Sequence, residues 1–180
     1  MGGNPCLRGR PLAARLPTVD LAELIEKFPP TAPARRPANK DELRKLGARD
    51  GVRVLSRPPA EADLRRVPEK KGDDGCHLWV VVPIEVPYLL ELAPVVPPLE
   101  SGRVTHTNLT GGAPASCGGE LWVDPADDGL LYINGCSGRY GPRGPEQLEA
   151  AEDALRSLGF QVIGFGWDDD AGKPAMVLRR

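Results

Sequence analysis

Long apolar segments, paired cysteines and aromatic residues are scarce in this chain of 180 residues. No apolar run approaches the roughly 18 residues that a membrane-spanning helix needs, so no membrane segment is expected. The four cysteines, at positions 6, 76, 117 and 136, include no CxxC pair. The zinc-site signature is therefore absent, and no metal site is predicted. No apolar region follows the arginines near the N-terminus, which excludes a secretory signal and favours a cytoplasmic protein with reduced cysteines.

Glycine and proline, with 21 and 20 residues, are together about twice as frequent as in an average protein. This proline content excludes long helices and favours short elements with many turns. Apolar residues make up 41% and charged residues 27% of the chain. These values are those of a globular protein, and the length is that of about one domain.

The charge of the chain is unevenly distributed, although its net value is only −2. Residues 1–72 contain 16 Lys and Arg against 9 Asp and Glu, whereas residues 73–180 contain 7 against 16. The basic part could meet a protein partner or pack on the acidic part of the same chain. Its basic residues are scattered and have no aromatic residues between them, which argues against nucleic-acid binding.

The pattern of apolar residues predicts an α+β fold with a mostly antiparallel sheet. One well-defined helix is expected at about residues 145–158, where proline stands in the first turn and Gly159 follows the end. A second apolar stripe, after a capping Asp20, predicts a helix to about Phe28. We expect a flexible arm at 1–17, a basic, helical and Pro-rich segment at 18–72, and an α+β core domain at 73–180. Exposed edges of so small a sheet make a homodimer plausible.

Residues 104–144 contain nine glycines, more than their turns require. Consecutive glycines allow a ligand to approach the backbone and expose N–H groups that can bind anions. We assign catalytic roles to two residues of this segment, a general base at His106 and an acid partner at Glu120. The candidate ligand-binding residues are Thr107, Gly111, Gly112, Ser137, Arg139 and Tyr140.

The order of these motifs resembles a segment of bacterial polymorphic-toxin C-terminal domains and of plant calmodulin-binding IQ-motif proteins. The matching residues are His106-Thr107, Gly111-Gly112, Gly119-Glu120 and the stretch 137–142, which reads SGRYGP. The resemblance implies a bacterial effector that acts on a cellular target. Those proteins usually have histidine at the position of Arg139. An arginine cannot serve as a general base near neutral pH, but it can hold a phosphate.

Two hypotheses for the function stay open at this stage. In the first, the chain binds a nucleotide or another phosphorylated ligand at the Gly-rich region and transfers a group, as a nucleotide-dependent transferase would. In the second, it is a non-enzymatic protein-binding or accessory module, and the motif is structural. His106 would then lie on a strand at about 104–109 and bond to backbone. Glu120 would face solvent, and 137–140 would form a turn in which Tyr140 packs. The sequence identifies no cofactor.

Overall fold

The computed structural model of the chain describes residues 20–55, 76–123 and 130–176, and it consists of a six-stranded sheet with helices on both faces. The helices are α1 (Leu21–Lys27), α2 (His106–Thr110) and α3 (Pro145–Ser157). The strands are β1 (Arg53–Val54), β2 (His77–Val80), β3 (Pro87–Leu90), β4 (Gly118–Val123), β5 (Leu130–Ile133), β6 (Gln161–Gly164), β7 (Trp167–Asp168) and β8 (Lys173–Pro174).

The main sheet has the strand order β1-β3-β2-β4-β5-β6, and β7 and β8 form a separate hairpin. The first five strands of this order are antiparallel to their neighbours, with Leu78 of β2 opposite Leu89 on one side and Glu120 on the other. Strand β6 pairs with β5 in parallel. Helix α3 makes the crossover between them, because a parallel pair cannot be joined by a tight turn.

Alternate residues of the strands supply two separate hydrophobic cores, one on each face of the sheet. On β4, Leu121 and Val123 belong to the core beneath α1 and α3, whereas Trp122 belongs to the opposite core. The second core includes Leu109 of α2, and in it Trp122 stacks on Phe165 with ring centres 5.3 Å apart. The sheet therefore places α2 on the face opposite the two longer helices.

Helix α1 begins with a capping box, as the sequence predicts. The Asp20 carboxylate accepts a hydrogen bond from the Glu23 N–H at 2.9 Å, and the Glu23 carboxylate accepts one from the Asp20 N–H at 3.1 Å. Leu24 faces inward and is fully buried in the core that α3 also covers. The N-terminal part of the chain thus contributes directly to the main core.

The predicted fold class is wrong in three respects, although the chain is α+β. The sheet is mixed, because the crossover through α3 returns β6 parallel to β5. The described residues contain three α-helices, of which the sequence predicted α1 and α3 but not α2. The N-terminal third is not a helical unit: after α1, residues 28–55 contain only two single 3₁₀ turns and the short strand β1. Its prolines break helices before they can lengthen.

The predicted domain division stays a prediction. The arm at 1–17 and the boundary between residues 72 and 73 both lie outside the described residues.

Candidate functional site

His106 lies in the first turn of α2, and not on a strand as the sequence suggested. Its Nε2–H donates a hydrogen bond to the Gly119 carbonyl oxygen at 2.9 Å, because a carbonyl can only accept. Only 8% of the residue is exposed. Burial lowers the pKa of the His106 imidazole from 6.5 to about 4, while the bond to Gly119 opposes this shift. His106 is therefore a neutral, buried group at neutral pH.

Gly111 and Gly112 end helix α2. Both have positive φ, 68° and 81°, and both of their N–H groups donate to the carbonyl oxygen of Thr107. Such left-handed residues are the usual C-terminal stop of a helix. A Cβ on Gly112 would lie 2.6 Å from the Leu43 side chain, so the 40–46 region packs closely here. Thr107 itself is completely buried.

Glu120 lies on β4 and is half-buried. Its carboxylate accepts a hydrogen bond of 2.8 Å from the side-chain amide of Asn134, which follows β5. The amide oxygen of Asn134 in turn accepts from the backbone N–H groups of Glu120 at 3.0 Å and of Cys136 at 2.9 Å. Asn134 is fully buried and joins β4 to the end of β5. The sequence analysis did not single out this residue, because its partners come from separate parts of the chain.

Ser137, Arg139 and Tyr140 form a tight turn. The Ser137 hydroxyl accepts hydrogen bonds from the backbone N–H groups of Tyr140 at 3.0 Å and of Arg139 at 3.3 Å. The buried Tyr140 hydroxyl donates to the Ala113 carbonyl at 2.8 Å and lies 2.8 Å from the Thr110 hydroxyl. Burial raises the pKa of the Tyr140 phenol, so it stays protonated. The turn is thereby fastened to the loop that follows α2.

The Arg139 guanidinium holds a carboxylate, but one that belongs to the same chain. One terminal nitrogen (Nη2) forms an ion pair with Glu42, and the other (Nη1) donates to the Arg36 carbonyl at 2.8 Å. The side chains of Arg139 and Glu42 are 17% and 16% exposed. The structure thus packs the predicted site residues together. Their polar side chains form hydrogen bonds and ion pairs with other groups of the same chain.

Nucleophile and metal chemistry find little support in the described part of the chain. Burial raises the pKa of the Cys117 thiol to about 12, which keeps it protonated and unreactive. Within residues 20–55, 76–123 and 130–176, no group of three or more His, Cys, Asp or Glu side chains could hold a metal ion. In the same ranges, no helix has the length and apolar character needed to cross a membrane.

A cavity of about 460 Å³ opens between the end of α1 and the start of α3, on the other face of the sheet. It is lined by residues 27–29 and 143–147. Two cations lie near the Phe28 ring: Lys27 Nζ is 5.2 Å and Arg143 Cζ is 6.0 Å from the ring centre. Gly144, which precedes α3, offers no side chain to cap the first N–H groups of the helix.

The wall of this cavity is fixed by the buried Gln147. Its amide oxygen accepts from the backbone N–H and the Nε of Arg143, at 2.8 and 3.3 Å, and its amide nitrogen donates to the Ser116 carbonyl at 2.9 Å. Opposite, Lys27 Nζ lies 3.7 Å from the exposed carboxylate of Glu146. One local feature of the sequence points to this site: Arg143 stands just before the helix that Pro145 begins. The sequence could not show that the distant α1 ends there.

Comparisons of this chain with protein-family models, with curated proteins and with solved structures find no match.

Proposed function

We propose that this chain is a binding module for a small phosphorylated molecule, a nucleotide or a related anion, held in the cavity between α1 and α3. Most of the Gly-rich segment at 104–144 then acts as scaffold, and its last two residues, Arg143 and Gly144, line the cavity. The observation that carries the proposal is the pair of cations, Lys27 and Arg143, that line the cavity and lie within about 6 Å of the Phe28 ring centre.

The cavity suits such a ligand in size and chemistry. Its volume lies within the range of roughly 300–1,000 Å³ that small-molecule sites occupy. A guanidinium binds phosphate through two parallel hydrogen bonds, and the ammonium of Lys27 adds a second positive charge. The Phe28 ring supplies an apolar surface for the rest of the ligand. The amino end of α3 carries a partial positive charge that also favours an anion.

The Glu146 carboxylate is the feature that opposes anion binding at this place. It lines the cavity and pairs with Lys27 at 3.7 Å, with both side chains largely exposed. An incoming phosphate would have to compete with it for Lys27. This competition makes a specific prediction, because removal of the negative charge at Glu146 should strengthen binding.

We propose binding without catalysis because the two candidate catalytic residues have other partners. His106 bonds to the Gly119 carbonyl, and the Glu120 carboxylate accepts from Asn134. Neither residue lines the cavity. The group-transfer reaction, the effector role implied by the resemblance and the cytoplasmic location stay predictions.

The test is isothermal titration calorimetry with ATP, tripolyphosphate and adenosine at low ionic strength, where charge interactions are least screened. We expect ATP and tripolyphosphate to bind and adenosine to bind far more weakly. Arg143→Gln should weaken ATP binding about tenfold or more, since it removes a charged hydrogen-bond donor. Glu146→Gln should strengthen it, by about two- to fivefold for an exposed charge.

The matched control is Arg49→Gln, which removes the same charge at an exposed position outside the cavity. At the same ionic strength it should change the dissociation constant for ATP by no more than about twofold, because Arg49 does not line the cavity and its charge is solvated. Equal losses for Arg143→Gln and Arg49→Gln would contradict the proposal, because they would indicate attraction by the net charge alone. So would an absence of binding by both phosphate compounds.

A further inference from the structure

Residues 31–46, which we term the strap, run alongside α2, the loop that follows it and the 137–140 turn, and they contain the 3₁₀ turn Asp41–Leu43. At the start of the strap, Thr31 forms a two-way backbone pair with Ala115. The Thr31 N–H donates to the Ala115 carbonyl at 2.8 Å, and the Ala115 N–H donates back at 3.0 Å. This exchange is the pattern by which an extended peptide adds to a strand.

Arg139 fixes the middle of the strap. Its carbonyl accepts from the Ala34 N–H at 2.8 Å, and its guanidinium binds both the Arg36 carbonyl and the Glu42 carboxylate. Arg139 thus contacts the backbone of the strap twice and the Glu42 carboxylate of the strap once.

Asn108 fixes the far end. Its side-chain amide donates to the backbone carbonyl oxygens of Asp41 at 2.7 Å and of Arg44 at 3.0 Å. The backbone carbonyl of Asn108 accepts from the Leu46 N–H at 2.8 Å. Leu46 is the one fully buried apolar residue of the strap. Asn108 itself is 1% exposed and is held from within α2.

These contacts bind backbone groups of the strap, including carbonyls at its 3₁₀ turn, together with one carboxylate and one leucine. Residues 31–40 of the strap are exposed or half-buried, so apolar packing contributes little to their attachment. Segments with few buried contacts are those that open most readily from a folded protein. When the strap detaches, Ala115, Arg139 and Asn108 would remain in place, because they belong to the part of the chain that packs on the sheet.

We propose that the surface formed by Ala115, Arg139 and Asn108 is a peptide-binding site, which the strap occupies in the free protein. Its partner is a segment of another protein that pairs with Ala115 through its backbone, as Thr31 does, and carries a carboxylate for Arg139. Backbone hydrogen bonds give affinity in such a site, and the charged pocket gives specificity. The strap competes with the partner segment for this surface. It therefore lowers the apparent affinity for the partner in proportion to the fraction of molecules in which the strap is detached. This proposal does not depend on ligand binding in the cavity.

The test uses the full chain and a fluorescein-labelled peptide of residues 29–46 with blocked ends, followed by fluorescence anisotropy. In the protein, Glu42→Gln weakens the attachment of the strap but leaves Ala115, Arg139 and Asn108 unchanged. The Glu42→Gln protein should bind the peptide about tenfold more tightly than the unaltered chain does. The control Glu26→Gln removes an exposed carboxylate from α1, outside the strap, and should behave as the unaltered chain does.

A second peptide with the Glu42→Gln change separates specific binding from a loosened fold. The Glu42→Gln protein should bind this peptide about tenfold more weakly than the unaltered peptide. Addition of Arg139→Gln to that protein should abolish the preference between the two peptides, which completes a double-mutant cycle.

Three results would overturn the proposal: binding of neither peptide by the Glu42→Gln protein, equal binding of both, or a preference that survives Arg139→Gln. A concentration-dependent dimer of the Glu42→Gln protein, which the free peptide does not dissociate, would assign the surface to a second copy and would equally overturn it.

Discussion

The burial of His106 makes the stability of this protein depend on pH in a specific way. The imidazole pKa is lowered from 6.5 to about 4 in the folded state, chiefly because burial disfavours the charged form. Between these two values the unfolded chain binds more protons than the folded chain. The free energy of unfolding therefore rises with pH in this window and falls as the pH drops toward 4.

The size of the effect follows from the two pKa values. The stabilisation from neutral His106 is fully present above about pH 6.5 and is lost progressively below it. Between about pH 7.5 and about pH 4.5, the free energy of unfolding should fall by roughly 2.5 kcal/mol on account of this residue alone.

Urea unfolding across this pH range measures the effect, with His106→Gln as the comparison. Glutamine is neutral at every pH and can place an amide N–H near the Gly119 carbonyl, which His106 contacts at 2.9 Å. The difference in unfolding free energy between the two proteins should therefore change by roughly 2.5 kcal/mol between the two ends of the range. Curves that stay parallel within about 0.5 kcal/mol would refute the reasoning.

Three further substitutions test the view that the Gly-rich segment is a scaffold. Gly119→Ala should cost about 3 kcal/mol or more in unfolding free energy, because its Cβ would lie 1.9 Å from a backbone oxygen, that of Asn134. The control Gly138→Ala meets no atom within 4 Å and should stay within about 0.5 kcal/mol in the same denaturant experiment. Tyr140→Phe removes the donor to the Ala113 carbonyl and should cost about 1–2 kcal/mol, whereas a change below about 0.3 kcal/mol in thermal or urea unfolding would contradict the structural role.

Local signals in the sequence predicted the two longer helices well. The apolar stripe that follows Pro145 gave α3 to within a residue of its observed end at Ser157, and Asp20 marked the start of α1. These elements obey rules that act within a few residues, such as capping and helical periodicity. Elements of this kind can be found without knowledge of the rest of the fold.

Signals that depend on distant partners were interpreted incorrectly. The valine and the threonines of residues 104–109 favour a strand. The structure has α2 there instead, and a hydrogen bond of 2.8 Å from the Thr105 N–H to the Asn108 side chain caps its start. Likewise, the local pattern of residues 161–167 favours one strand of a closing hairpin, because nothing local shows that α3 returns β6 to the main sheet.

Arg139 illustrates what the sequence could not predict. It was predicted to bind the phosphate of a ligand, whereas in the structure its guanidinium pairs with the carboxylate of Glu42 in the same chain. The sequence could not show that the partner lies in the strap, far away in the chain. The cavity escaped prediction for the same reason, because Lys27 and Arg143 meet only when α1 packs on α3.

Backbone-amide NMR during a titration with ATP tests the central proposal most directly. The account predicts saturable shifts of the amide signals that surround the cavity, those of Lys27, Phe28, Gly144, Glu146 and Gln147. Signals of residues 137–140, on the turn that binds the strap, should stay in place. Shifts confined to residues 137–140, or no saturable shift at any amide, would contradict it.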